Sequence, residues 1–298
     1  MFSIMAEMQI MNQEELKEKI KLWWNHYPFT YFVKEEIGSW AFFRNVDRKV
    51  FKWCPWAHDG YPLFSKFVPY KELAGRKVLD IGCGTGWSTE QFVRMGAEVS
   101  AIDLTEKAIE LTKKRFAIYH LKADIRVGDA ESIPYADGVF DYVFVWGVLM
   151  HTPDTEKAIR EIYRVLKPGG RAAAMMYNRN SLHFRWFLWF GKGILRGKLL
   201  KYSVQELANR YTDGAEIGGN MLTKFYTPAE LRRLWSIFPK VKVSTYDNSD
   251  ILDVFPHRRL PLGKLLPKRV KQLLANRLGL SAWIEAQKEP ENSPNSSR

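Results

Sequence analysis

The sequence predicts an α/β fold with a doubly wound, mostly parallel sheet of seven strands, an N-terminal helical cap and two insertions. Three observations carry this. Short apolar runs alternate with helical patterns from Lys77 onward, as βαβ units do. A glycine cluster, Gly82, Gly84 and Gly86, follows the first of those runs and opens a helix. The chain has 298 residues, 46% hydrophobic and 26% charged, enough for a full core without staples.

The elements follow in order. The first 70 residues are dense in aromatics, including Trp23, Trp24, Tyr27, Phe29, Trp40, Trp53 and Trp56, and are punctuated by Pro28, Gly38, Pro55 and Asp59-Gly60. They read as short helices and turns forming a cap over 1–70. The core of alternating strands and helices is expected over 71–177. Lys77–Ile81 is the first strand, Trp87–Met95 a helix, Glu98–Ile102 a strand and Thr105–Tyr119 a helix. Asp124–Val127 and Asp141–Trp146 are strands. Thr155–Leu166 is a helix, with apolar residues at 158, 159, 162, 163, 165 and 166. Lys167-Pro168-Gly169-Gly170 reads as a helix stop and tight turn before a strand over Arg171–Tyr177.

The alternation fails over 178–226, which reads as an insertion or lid. It resumes over 227–287. Thr227-Pro228-Ala229-Glu230 is a helix start with an N-cap, a proline and a capping-box acid. Val241–Tyr246 and Ser281–Gln287 are the last strands, the final one closing the sheet as an antiparallel hairpin. Residues 288–298 read as a disordered tail.

Net charge is +12, and it is unevenly spread. Residues 178–210 hold seven basic side chains against Glu206 alone, and 255–279 hold seven against none. The two segments together exceed the net charge of the chain, so the rest is close to neutral. Both are also apolar. Leu182–Phe190 has five aromatics in nine residues, and Leu265–Leu278 alternates apolar and basic faces. That is the pattern of segments lying on an anionic membrane surface, and the competing reading is that both pack on the domain. Leu182–Leu200 is broken by charges, and a spanning helix needs roughly 20 mostly apolar residues. The N-terminus shows no signal-peptide pattern. Two cysteines, Cys54 and Cys83, fit a reducing compartment, and the expected location is cytoplasmic or peripheral at the inner face of the membrane. The histidines show no metal-ligand spacing.

The informative motif is Val78-Leu79-Asp80-Ile81-Gly82-Cys83-Gly84-Thr85-Gly86. Glycines there let backbone approach a ligand beside a helix N-terminus. The dinucleotide fingerprint is missed, because its sixth position is Trp87. That argues against a nicotinamide oxidoreductase. Asp103 ends the second strand, where an acid can accept from both ribose hydroxyls, and Asp129 follows the third strand.

With the segments GDAESIPY, FDYVFVWGVLMHTPD and LKPGGR in order behind this motif, the chain resembles class I S-adenosylmethionine-dependent methyltransferases of the type 11 group, near the quinone-biosynthesis C-methyltransferases. The resemblance runs from about Lys77 to Tyr177. It implies a Rossmann-like fold, S-adenosyl-L-methionine as cofactor and direct methyl transfer. It implies that Asp80 and the loop of Gly82, Cys83, Gly84 and Gly86 hold the aminocarboxypropyl end. Asp103 would bind the ribose, Leu104 would pack on adenine, and Asp129 with Ala130 would meet the adenine edge. Trp146 and Gly147 would line the pocket near the methionine moiety. His151 is the candidate base, with Tyr177 behind it; His151 reads equally well as a structural histidine. Relatives often carry two histidines here, and the first position is Met150. Cys83 reads as a packing residue rather than a nucleophile. Trp23, Trp24, Tyr27 and Phe29 are expected to face the acceptor pocket.

The acceptor expected is a small, lipophilic molecule such as a quinone precursor, isoprenoid or lipid. The alternatives are a non-catalytic cofactor-binding or membrane-peripheral module, and a methyltransferase for a polar metabolite or RNA. Nucleic acid ranks lower, because the Asn/Asp-Pro-Pro-aromatic tetrapeptide of base methyltransferases is replaced by Trp146-Gly147-Val148-Leu149. The oligomeric state and the atom methylated stay open.

Overall fold

The structure is a computed structural model that describes residues 12–28, 34–247 and 267–291. Its centre is β1 (Lys77–Ile81), whose apolar residues Val78, Leu79 and Ile81 are buried. Parallel neighbours flank it: β2 (Glu98–Asp103) pairs Val99 with Val78, and β4 (Phe140–Trp146) pairs Tyr142 with the same residue. Near-continuous apolar runs are what strands covered on both faces require.

The full order is β3-β2-β1-β4-β5-β8-β7, with β3 at Asp124–Val127, β5 at Leu166–Asn178, β7 at Lys240–Tyr246 and β8 at Ser281–Gln287. β8 runs antiparallel to both β5 and β7, closing the sheet as the sequence suggests. Seven strands match the expected ones; the eighth, β6 (Phe225–Tyr226), is a two-residue addition beside the end of β5.

One boundary differs. The expected turn at 167–170 is carried inside β5, which starts directly after the preceding helix. Phe140 pairs Leu166 and Tyr142 pairs Arg171, so residues 167–170 bulge out opposite Asp141. Gly169, at φ +76°, supplies the conformation, and its N–H donates to Glu289 O while Lys288 N–H donates to Gly170 O.

Helices cover both faces. They are α1 (Gln13–His26), α2 (Trp40–Trp53), α3 (Trp87–Arg94), α4 (Glu106–Ile118), α5 (Thr155–Val165), α6 (Val204–Tyr211), α7 (Pro228–Leu234) and α8 (Lys268–Leu278). α5 shows the logic plainly: Asp154 caps it, and Ala158, Ile159, Ile162 and Val165 form its buried stripe. α7 has the expected capping box of Thr227 and Glu230.

In the cap, α2 buries Phe42, Phe43, Val46 and Val50. It is tied to the core by Arg115 of α4, buried between Asp47 and Glu90. After β5 comes a wide helix over His183–Ile194, of the i→i+5 type. It builds a small core of its own with α6 and β6, from Leu188, Ala208 and Phe225. The lower basic segment lies outside the described residues up to 266. From Pro267 it is α8, with Ala275 buried against β7 and Leu273 exposed. Phe29 and the end of the C-terminal tail also fall outside the described residues.

Strand order reverses between β1 and β4. In open α/β sheets a crevice forms at that point, beyond the carboxyl ends of the strands.

Candidate active site

A cavity of about 230 Å³ lies in that crevice. Its floor is the loop after β1. Gly82, Gly84 and Gly86 all have positive φ, at +73°, +55° and +78°. Gly82 is required sterically, since a Cβ there would meet Val148 Cγ2 at 2.1 Å. Gly84 faces open space, so its bare backbone is presented to whatever occupies the cavity.

Two acids hold this loop in different ways. Asp80 is buried and does not line the cavity; its Oδ2 accepts from Ser88 Oγ (2.7 Å) and Thr89 Oγ1 (2.6 Å) at the start of α3. Burial pushes its carboxyl up to about 6 against those two donors. Gly86 is likewise set back from the cavity. Asp103 does line it. Its Oδ2 accepts from Gly84 N–H (3.1 Å), and its Oδ1 accepts from Thr105 N–H (3.0 Å) and Oγ1 (2.8 Å). A carboxylate has about four acceptor sites, so capacity remains for a ribose hydroxyl. Burial raises the Asp103 carboxyl above its ordinary range, opposed by the Thr105 and Gly84 donors.

Leu104, Ala108, Ala130 and Ile20 supply apolar wall, with Gly128 and Asp129 beside them. Here the fold brings in a residue that sequence reasoning missed. Lys17 of α1 donates to Asp129 Oδ2 (2.8 Å) and pairs with Glu131 Oε2 (2.6 Å). Burial pulls the Lys17 ammonium down, but the two carboxylates outweigh it and its net shift is upward. Asp129 Oδ1 accepts from Glu131 N–H. Both oxygens of Asp129 therefore already have a partner.

The other part of the lining comes from Trp146, Gly147, Met175, Tyr177, His151, Trp24 and Asp213. The Trp24 ring lies 5.3 Å from the His151 ring. Trp23 does not line the cavity; it packs edge-on against Trp24 and against Gly214, where a Cβ would approach its ring to 2.7 Å. Tyr27 is also off the cavity, and Pro28 is on it. Met150 is fully buried in the core. Cys83 lines the floor, but burial, with Asp103 and Asp80 nearby, pushes its thiol far up against the opposing Thr112 hydroxyl, so it stays protonated.

His151 is buried, with Nδ1 2.6 Å from Leu222 O and Nε2 3.5 Å from Asp213 Oδ2. Tyr177 Oη donates to Asp213 Oδ1 at 2.9 Å. Burial lowers the His151 imidazole, partly offset by Asp213 and Leu222, and burial raises Asp213, partly offset by His151 and Tyr177. Asp213 comes from the 178–226 stretch, which has no periodic or motif-like pattern that would single it out. Among the described residues, no helix is long and apolar enough to cross a membrane.

The fold, the glycine floor and the acid at the end of β2 define a class of α/β protein built to hold a nucleoside, and comparison with known proteins specifies it. Residues 79–174 match the Methyltransferase domain family. The chain is 33% identical over 179 residues to the ubiquinone biosynthesis O-methyltransferase of Thiobacillus denitrificans, covering 59% of this chain and 70% of that one. It is 37% identical over 114 residues to the protein of the same name from Xanthomonas oryzae pv. oryzae, spanning 38% of this chain and about half (48%) of that one. Among solved structures, an S-adenosylmethionine-dependent methyltransferase from Methanosarcina mazei matches with a TM-score of 0.52 at 21% identity, over 78% of this chain and 100% of that one. A Haloferax volcanii protein solved in complex with the Trm112 methyltransferase activator matches with a TM-score of 0.55 at 14% identity, over 92% and 100%. The chain belongs to the class I S-adenosylmethionine-dependent methyltransferases. Its cofactor is accordingly S-adenosylmethionine, and the cavity fits that group: a bare glycine floor, an acid with spare acceptor capacity and apolar walls.

Proposed function

We propose that this methyltransferase acts on a hydroxyl of a small, lipophilic acceptor, of the quinone-precursor type, and that the acceptor enters the part of the cavity lined by His151. The observation that carries this reading is a lone-pair nitrogen at a largely apolar wall. His151 lines the cavity with Trp24, Trp146, Met175 and Tyr177, where an apolar ring finds surface to pack on and its O–H finds a base. The curated relatives, named as ubiquinone biosynthesis O-methyltransferases, point the same way.

Bound S-adenosylmethionine supplies a methyl group already activated for displacement. What is left to the chain is to bind, orient and exclude water. Asp103 and Leu104 position the nucleoside end, Asp129 and Ala130 its base edge, and Gly82 to Gly84 the amino-acid end. Trp146 and Gly147 border the reacting end. His151 takes the proton that an O–H acceptor must lose.

A second element of the proposal is docking to an anionic bilayer. Support comes from the surface after β5, where Trp189, Leu195, Leu200 and Val204 are exposed beside Arg185 and Lys198. A lipophilic acceptor would be collected there.

The experiment is transfer from labelled S-adenosylmethionine into a cell extract, followed by partition between organic and aqueous phases, with Asp103→Ala as control. Label in the organic phase that the variant loses is expected. Label confined to the aqueous phase would discard the lipophilic acceptor.

A further inference from the structure

We propose that Asp213 is the charge-balancing partner of the base: it faces the cavity side of His151 and holds the imidazolium formed when His151 accepts the acceptor's proton. This rests on the reading that an O–H acceptor is deprotonated in the cavity.

Leu222 O lies 2.6 Å from His151 Nδ1. Two lone pairs cannot sit that close, so Nδ1 carries a hydrogen and donates it to the carbonyl. Asn220 holds Leu222 in place, its Oδ1 accepting from Leu222 N–H; its own amide nitrogen lies 3.0 Å from Nδ1, a longer contact that the 2.6 Å approach of the carbonyl outweighs. Asn209 of α6 fixes this loop, accepting from Thr223 N–H and donating to Met221 O. The shorter contact, to the carbonyl, assigns the hydrogen to Nδ1 and leaves Nε2 its lone pair.

Among the described residues the ionisable group nearest Nε2 is Asp213, with Oδ2 at 3.5 Å. Among the described residues that buried oxygen has no hydrogen-bond donor. Its twin, Oδ1, is held by Tyr177 Oη from β5. Two acceptors facing each other across 3.5 Å invite one proton. When the acceptor's O–H bond breaks, the proton goes to Nε2 and the electron pair stays on the oxygen for the incoming methyl group. The imidazolium so formed stands directly beside the Asp213 carboxylate.

The other groups around His151 do not compete. α1 offers the Trp24 ring, and β5 offers Tyr177, already on Asp213. Lys224 is turned to Pro153 O and Thr155 Oγ1. The remaining charges on the cavity, Lys17, Asp103, Asp129 and Glu131, are paired with one another or with backbone. The base is thus assembled from two parts of the chain: the histidine after β4, and a loop of the 178–226 stretch that supplies both Leu222 O and Asp213.

Two readouts on the full chain test this. The first needs no acceptor: imidazole NMR titration, with His151 assigned by its loss in His151→Gln. Asp213→Asn should move the His151 titration to lower pH, because the imidazolium loses its counter-charge, and Asp213→Glu should restore it. An unmoved titration, or a hydrogen on Nε2 in the neutral form, would overturn the proposal. The second is methyl transfer to phenol and to para-nitrophenol, the two compared at a pH well above the pKa of para-nitrophenol and below that of phenol, so that the former is ionised and has no proton to give. Asp213→Asn should lose about 10- to 100-fold in kcat with phenol. It should keep the wild-type rate with para-nitrophenol and shift the acid limb of the phenol profile downward. Equal losses on both probes with an unmoved limb would make Asp213 a wall of the pocket only. If His151→Gln and Asp213→Asn both left phenol turnover intact while Asp103→Ala abolished it, the deprotonation reading itself would fall and the methyltransferase would stand.

Discussion

Asp80 and Asp103 are the same residue type, close to the same loop, with different work. Asp103 keeps acceptor capacity facing the cavity, so its removal acts on cofactor binding. A hydrogen bond to a charged group contributes about 1.5–3 kcal/mol. Asp103→Ala should therefore weaken S-adenosylmethionine binding roughly 10- to 100-fold by calorimetry; an unchanged Kd would remove Asp103 from the ribose. Asp80 works from behind, on α3, and its carboxyl is raised to about 6. Because that lies above the unfolded value of roughly 3.9, the folded chain binds the proton more tightly. The stability this gives is complete at acid pH and is lost as pH rises through about 6. Asp80→Asn has no such slope. The wild-type advantage over this variant should shrink by roughly 2 kcal/mol between about pH 4 and 7 in urea titrations, and parallel curves would refute the assignment.

α1 is held over the cavity by charge as much as by packing. Lys17 bridges Asp129 and Glu131, Lys21 pairs with Glu106 at 2.7 Å, and Asn25 accepts from Lys107 N–H at the start of α4. Lys17→Met leaves two carboxylates facing each other at a half-buried site. The expected cost is about 1–3 kcal/mol of stability and a several-fold higher KM for S-adenosylmethionine, since the helix lines the cavity with Ile20 and Trp24. A variant with unchanged KM would show that α1 is not part of the binding wall. The core strands and the glycine floor were legible because their signals are local: apolar runs, a glycine turn, a cap. The boundary at Leu166 was not, because a bulge is decided by pairing with β4 and by the C-terminal residues Lys288 and Glu289. Lys17 and Asp213 were also hidden. Each reaches the site through tertiary placement, 112 residues from Asp129 in one case, with no spacing to announce it. That Asp103, His151 and Tyr177 line the cavity was legible because they sit at strand ends or just beyond one, where this sheet topology opens its crevice.

The charge of the chain is concentrated outside the catalytic fold, and the described part of it coincides with exposed apolar surface. Leu200 is 95% exposed and Leu195 65%, on the stretch that also supplies Asp213 to the cavity. Each Lys or Arg near an anionic leaflet contributes about 1 kcal/mol, and each leucine side chain taken out of water about 1.5–3 kcal/mol. Flotation with vesicles tests whether these act together. Vesicles containing phosphatidylglycerol should carry the full chain at low salt and release it at high salt, and phosphatidylcholine alone should carry little. Leu195→Asp with Leu200→Asp should weaken the binding by about 100-fold or more, given the two leucine contributions, while turnover of a water-soluble phenol stays unchanged. Equal binding to both vesicle types, or a double variant that floats as well as wild type, would leave the basic surface merely solvated and return the acceptor's route to the aqueous phase.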